Sequence, residues 1–453
     1  MGDDGSLRRG SARRVLGAIV LDTRPLRVPA FRRLWTSGAV TSVGSQLTAV
    51  AVPKQVFDIT GSSGYVGLTG VAALVPLLVF GLWGGAIADT VDRRKLLLVT
   101  NSGIAVTTVL LWAQAFAGAR SVWLVLGLLA ANQAFFAVNG PTRSAVVARL
   151  VPVGLLPSAV SLSSTMSMFG AVLGPLAAGA LLPVIGLPTL YLIDSVALLL
   201  TLWTIWRLPA MAPLNGPSRR AGLRDVLDGL RYLSTQKILL ASFLLDIIAM
   251  VAGMPLVLFP EMAQRTFGDP PGGGSALGWL YAAIPIGALL CGLGSGWMSR
   301  VPRQGVAVAA AVCAWGAAIV GFGLSRSLWL AVVFLALAGA ADFVSMVFRS
   351  AILQAAATDD MRGRSQGVFT VVVAGGPRIA AITHGWTAAG AGTAVAASGG
   401  GAMVIVLAVL AVMLLPAFWR YRPPAAEPVL ADPPVAGTGH ADAGSTAGEH
   451  DTR

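Results

Sequence analysis

Long stretches of this chain stay apolar for some twenty residues at a time and are then broken by short clusters of charge, proline and glycine. A helix rises 1.5 Å per residue, so about 20 apolar residues cross a hydrocarbon layer roughly 30 Å thick. On that spacing the pattern predicts twelve transmembrane helices, near 34–56, 66–88, 96–117, 122–142, 155–180, 185–206, 238–260, 276–298, 305–324, 328–348, 365–389 and 398–419. A polar stretch at 207–236 parts six helices from six. The expected fold is therefore an all-α integral membrane protein with an N-terminal segment 1–33, a six-helix bundle 34–206, a linker 207–236, a second six-helix bundle 237–420 and a tail 421–453. That tail is rich in Ala, Pro, Gly and acidic residues and is expected to be disordered. No long apolar run precedes Asp22, so a cleaved signal is not expected.

Composition agrees with lipid as the main solvent. Only 11% of the 453 residues are charged, 55% are hydrophobic, and the mean hydropathy is +0.76. A soluble domain carries roughly 25% charged residues. The formal charge of +12 does not point to nucleic acid, because its basic residues are not gathered into one domain. Of the 32 Lys and Arg, 27 lie in segments on the side of the termini, 4 on the other side, and Arg378 lies within a span. Basic loops stay on the cytoplasmic side, so both termini are expected in the cytoplasm and the chain in the cytoplasmic membrane. Cys291 and Cys313 sit in apolar segments and His440 and His450 in the tail, so no metal site or cofactor is expected. There is no glycine-rich loop ending in GK followed by Ser or Thr, which removes a nucleotide-driven motor, and no constellation of an enzyme is visible.

Between the second and third spans runs Gly84-Gly85-Ala86-Ile87-Ala88-Asp89-Thr90-Val91-Asp92-Arg93-Arg94-Lys95. It resembles the cytoplasmic loop signature of the major facilitator superfamily. Such a resemblance implies a conformational role for Gly85, Asp89, Arg93 and Arg94. At an offset of 210 residues a degraded copy carries Gly294, Ser299, Val301 and Arg303, and Arg143-Ser144-Ala145 is echoed by Arg349-Ser350-Ala351. Gly174-Pro175 and Gly376-Pro377 repeat in the same way, as expected of duplicated halves. Phe31-Arg32-Arg33-Leu34-Trp35, the run from Ala51 to Ser62, Arg362-Gly363-Arg364 and Gly375-Gly376-Pro377-Arg378 resemble the drug and siderophore exporters of that superfamily, the branch of the enterobactin exporter and macrolide efflux proteins. Ser45, and Ala380-Ala381 after the last run, depart from that pattern.

Charges at membrane depth need a partner, a proton or water. Asp194, Asp246, Asp342 and Arg378 are therefore the coupling candidates, with an Arg378–Asp342 pair as the expected contact. Gln46, Gln55, Asn132, Gln133, Asn139, Trp279, Tyr281, Phe343 and Phe369 are candidates for lining a substrate cavity. The resemblance implies a secondary transporter that exports a hydrophobic or amphipathic small molecule, a siderophore or antibiotic, by alternating access and proton antiport. Partners would be cargo, protons and membrane lipids, and the protein would be a monomer. An importer, or a transport-inactive sensor keeping the carrier fold, is the alternative, the latter motivated by Ser45 and Ser299.

Overall fold

A computed structural model describes residues 22–211, 231, 235–356 and 359–421, the side chains at 82–90, 356 and 359–373 excepted. The N-terminal segment before Asp22, most of the expected linker and the tail lie outside the described residues. All regular structure among the described residues is helical. The long helices are α1 (Pro29–Thr60), α2 (Ser63–Thr90), α3 (Arg93–Phe116) and α4 (Val122–Leu150). Leu156–Trp206 follows and divides at Gly186 into α5 (156–185) and α6 (187–206). The second half holds α7 (Lys237–Gly253), α8 (Ser275–Leu293), α9 (Gln304–Leu324), α10 (Leu328–Ala356), α11 (Asp359–Ala391) and α12 (Thr393–Leu414).

Nine helical segments among the described residues are apolar and long enough to cross a membrane by length and composition. One of these contains both α5 and α6, and α1 and α11 are two further long helices. With α5 and α6 counted apart, each of the twelve expected crossings has a long helical segment among the described residues.

Local chemistry sets the ends. Pro29 begins α1, where its missing N–H is no loss, and Gly61 closes it in the left-handed region at φ 65°. Gly186 adopts φ 75° and ψ 164°, which breaks the helical path. The chain reverses there. Ser42 and Gln46 of α1 meet Gly170 and Gly174 of α5 in rising order, while Thr41 and Thr48 meet Thr201 and Asp194 of α6 in falling order. Pro416 stops α12 at Leu414, five residues before the expected end, because the residue before a proline avoids the helical region. The expected crossing at 276–298 likewise ends at Leu293 and passes into a 3-10 turn. Helix α7 continues through a 3-10 turn and a short π-helical turn to Thr266.

Helices α1 to α6 pack among themselves and α7 to α12 likewise, joined by two seams, α2 against α11 and α5 against α8. Lipid offers no hydrophobic drive between helices, so close approach depends on small residues. Both seams have them. Gly67 faces Gly385 and Ala381, and Gly179 faces Gly278 so closely that a Cβ on Gly179 would lie 2.6 Å from the Gly278 Cα. With an even number of crossings, the start of α1 and end of α12 share one face, the termini face, and these glycine contacts lie toward the opposite face.

Candidate functional site

The α1 end, the α2 start and the segment after α7 meet on that opposite face. Lys54 is 1% exposed, pairs with Asp58 one turn along α1, and donates to the Pro271 carbonyl of the second bundle at 2.6 Å. Ser63, first residue of α2, donates to Glu261 at 2.5 Å. Arg265 reaches back to Glu261 at 2.6 Å, donates to the Gly61 carbonyl at 2.9 Å, and lies over the Phe57 ring. Three polar bridges thus cross between the bundles beside the glycine seams, around a depression lined by Phe57, Asp58, Gly61, Gln264, Arg265 and Pro271. In the sequence pattern Lys54 and Arg265 are two of the four basic residues on the side opposite the termini, Lys54 also lying in the Ala51–Ser62 run. The spacings Lys54/Asp58 and Glu261/Arg265, each four residues on a helix, are the signal that could have drawn attention to them.

At membrane depth the expected Arg378–Asp342 pair does not form. Arg349 takes both acids: it pairs directly with Asp246 of α7 and lies 3.9 Å from Asp342, one helical face along α10. The reason is reach. Helix α10 extends to Ala356, so Arg349 stands inside the helix and is 4% exposed, whereas sequence put it in a cytoplasmic loop. Arg143 is likewise inside α4, its guanidinium over Gly38 and donating to the Leu34 carbonyl at 3.3 Å. Arg378 instead crosses between bundles, donating to Gln133 of α4 at 3.0 Å and to its own Ala374 carbonyl. Asp194 is buried against α1, accepting from Thr48 at 2.6 Å beside Gly44, within the first bundle.

The candidate cavity residues do not share one wall. Gln55 exchanges hydrogen bonds with Gln114 at 3.1 Å and accepts from Tyr191 at 2.9 Å. Asn132 donates to Thr107 and Asn139 to Thr100, each at 2.9 Å. These buried amides tie α1, α3, α4 and α6 together, so their polar groups are already engaged inside the first bundle. Gln46 packs under Gly174. Trp279 sits edge-on to the exposed Trp329, and Tyr281 donates to the Leu256 carbonyl while packing on Phe259. Phe343 packs by Gly292 between α8 and α10. The Phe369 side chain lies outside the described residues.

On the termini face, Gly85 and Asp89 continue α2 as helix, with their side chains outside the described residues. Asp92 is the acid whose role is visible: it caps α3 by accepting from the Arg94 and Lys95 amides at 2.9 and 3.1 Å, and it accepts from the Met211 amide at 3.0 Å. Burial pushes its carboxyl upward, but the Lys95, Met211 and Arg94 amides together hold it below the usual carboxylate range. The Arg93 amide donates to the Met211 carbonyl, and Arg94 donates to the Trp206 carbonyl at the α6 end. Arg303, in the second copy, is exposed at the start of α9. Gly174 packs on α1, the carbonyl of Pro175 faces Gly278 across the seam, and Gly376 abuts Met250 of α7 ahead of the half-buried Pro377.

The profile of the transmembrane secretion effector family matches residues 22–439. The enterobactin exporter EntS of Shigella flexneri is 31% identical over 399 residues, covering 87% of this chain and 93% of that protein. EntS of Escherichia coli O157:H7 is 30% identical with 87% and 94% covered. In three dimensions the chain is similar to a bacterial homologue of the human lysosomal transporter Spinster in an inward-facing, unoccupied conformation (TM-score 0.64, 15% identity, 88% of this chain and 97% of that one). It is also similar to the nucleoside transporter NupG (TM-score 0.66, 13% identity, 87% and 100%).

Proposed function

Because this chain belongs to the transmembrane secretion effector family of the major facilitator superfamily, and is a transporter of small molecules with no enzymatic role, we propose that it exports an amphipathic small molecule by alternating access. The observation that carries this reading is the closure of one face: two glycine seams and three polar bridges hold the bundles together opposite the termini. With the basic residues putting the termini in the cytoplasm, cargo enters the space between bundles from inside and leaves when the outer contacts part. The similarity to EntS favours a siderophore among the cargoes, with antibiotics next.

An inward proton gradient supplies the drive. The Asp246–Arg349–Asp342 cluster is the coupling site of choice, since its acids share one buried cation and a proton on either acid changes what Arg349 must neutralise. Asp194, with only a hydroxyl beside it, is the second candidate. The working unit is a monomer surrounded by lipid. Everted membrane vesicles with an imposed pH gradient test the reading: gradient-dependent accumulation of at least one member of a panel of amphipathic dyes of either charge and siderophores is expected, and its absence across the panel, with binding retained, would mark the chain as a sensor.

A further inference from the structure

Arg378 occupies the place where the α2–α11 seam loosens. From the opposite face inward, Gly64, Gly67 and Gly70 of α2 press on Ala389, Gly385, Ala381 and the Arg378 backbone; one turn further, a Cβ on Gly375 would lie an ordinary 3.7 Å from the Leu74 side chain. At that level the Arg378 side chain leaves α11 and reaches α4 of the other bundle. Its described partners are neutral: the Gln133 side-chain carbonyl and the Ala374 carbonyl, with Nε buried and without a hydrogen bond among the described residues.

A guanidinium at membrane depth is costly unless an anion compensates it. The two acids nearest in kind, Asp246 and Asp342, are taken by Arg349, so no described carboxylate serves Arg378. Its planar fork suits two oxygens of an acidic group, and the neighbouring turn of α11 is apolar, with Leu74 beside Gly375 and Met250 against Gly376. We infer that Arg378 is the anchor for the acidic group of an amphipathic organic anion, with Gln133 holding the guanidinium between loads. This rests on the export reading and names the class of its cargo. Binding an anion there would draw Arg378 off Gln133 and so loosen a link between the two bundles.

The test compares three probes of one skeleton, 2-naphthoate, 2-naphthamide and 2-naphthylmethylammonium, binding to the purified full-length chain. Wild type is expected to bind naphthoate about tenfold more tightly than naphthamide and to bind the cation weakest, as one charge-assisted contact predicts. Arg378→Gln should abolish the preference and Arg378→Lys keep part of it. Gln133→Glu, which keeps Arg378 but gives it an internal carboxylate, should abolish the preference too, and covers the case in which Arg378→Gln does not fold. Equal binding of naphthoate and naphthamide by wild type, or an undiminished preference in Gln133→Glu, overturns the proposal. The two readings fail separately: a naphthoate preference with no panel compound accumulated by everted vesicles upholds the anion site and sinks export, whereas accumulation of any panel compound without a naphthoate preference upholds export and sinks the anion site.

Discussion

At the scale of the residue, partner choice follows depth and reach. Asp246 is almost fully buried and paired directly with Arg349, while Asp342 is a third exposed and 3.9 Å away. Asp246→Asn should therefore cost about 3 kcal/mol, the range for stripping one partner from a buried ion pair; Asp342→Asn should cost well under half of that. Thermal unfolding of the two variants in one detergent checks the order, and equal losses would contradict it. Asp92 gives a pH-dependent case outside the membrane. Its folded carboxyl sits below the unfolded value, so its capping contribution is complete above the unfolded value and fades as pH falls through the folded one. Asp92→Ala should lower stability by about 1 kcal/mol at neutral pH, and its melting temperature should converge with that of wild type in acid. The sequence marks Asp194, Asp246, Asp342 and Arg378 as intramembrane charges but leaves out Arg349 and pairs Asp342 with Arg378, because whether Arg349 or Arg378 meets Asp342 depends on how α7, α10 and α11 are rotated against each other. No spacing along one chain records that rotation.

At the scale of the element, most crossings were legible because each is one apolar stretch with a chemical stop. The sequence pattern places the reversal at 181–184, just before Gly186 where the chain turns, but gives no sign that α4 and α10 extend past Thr142 and Phe348. Charged residues such as Arg143 and Arg349 look like loop residues, and a neighbouring helix that accepts their guanidinium keeps both within a helix, Arg143 partly and Arg349 fully buried. The polar amides show the converse limit. Gln55, Asn132 and Asn139 read equally well as cargo contacts or as internal ties, and it takes their placement beside Gln114, Thr107 and Thr100 to make them ties. The seam glycines carry a direct prediction. A Cβ on Gly67 would fall 2.7 Å from the Ala381 carbonyl oxygen, and one on Gly385 the same distance from that of Ser63. Gly67→Val and Gly385→Val should wedge the α2–α11 seam and raise alkylation of a cysteine placed at Ser62; Gly390→Val, where nothing lies within 4 Å, should leave alkylation unchanged.

At the scale of the whole molecule, the bridges on the opposite face act as a latch between two bundles that otherwise meet along small residues. Glu261 is its pivot, accepting from Ser63 of one bundle and pairing with Arg265, which reaches Gly61. Glu261→Gln should shift the balance toward the state open on the face opposite the termini by about 1–2 kcal/mol, roughly 5–30-fold in population. The same shift is expected to slow a cycle that must return to the closed face. The most direct test of the account places spin labels at Tyr65 and Trp386, exposed positions at the α2 and α11 ends of the seam, and a second pair at Val153 and Trp297 on the termini face. In proteoliposomes, with Cys291 and Cys313 replaced by alanine, pulsed electron paramagnetic resonance should find a dominant short Tyr65–Trp386 distance at rest. An imposed proton gradient should move the two pairs in opposite senses, one lengthening as the other shortens. Distances that ignore the gradient, or that lengthen together on both faces, would contradict alternating access in this chain.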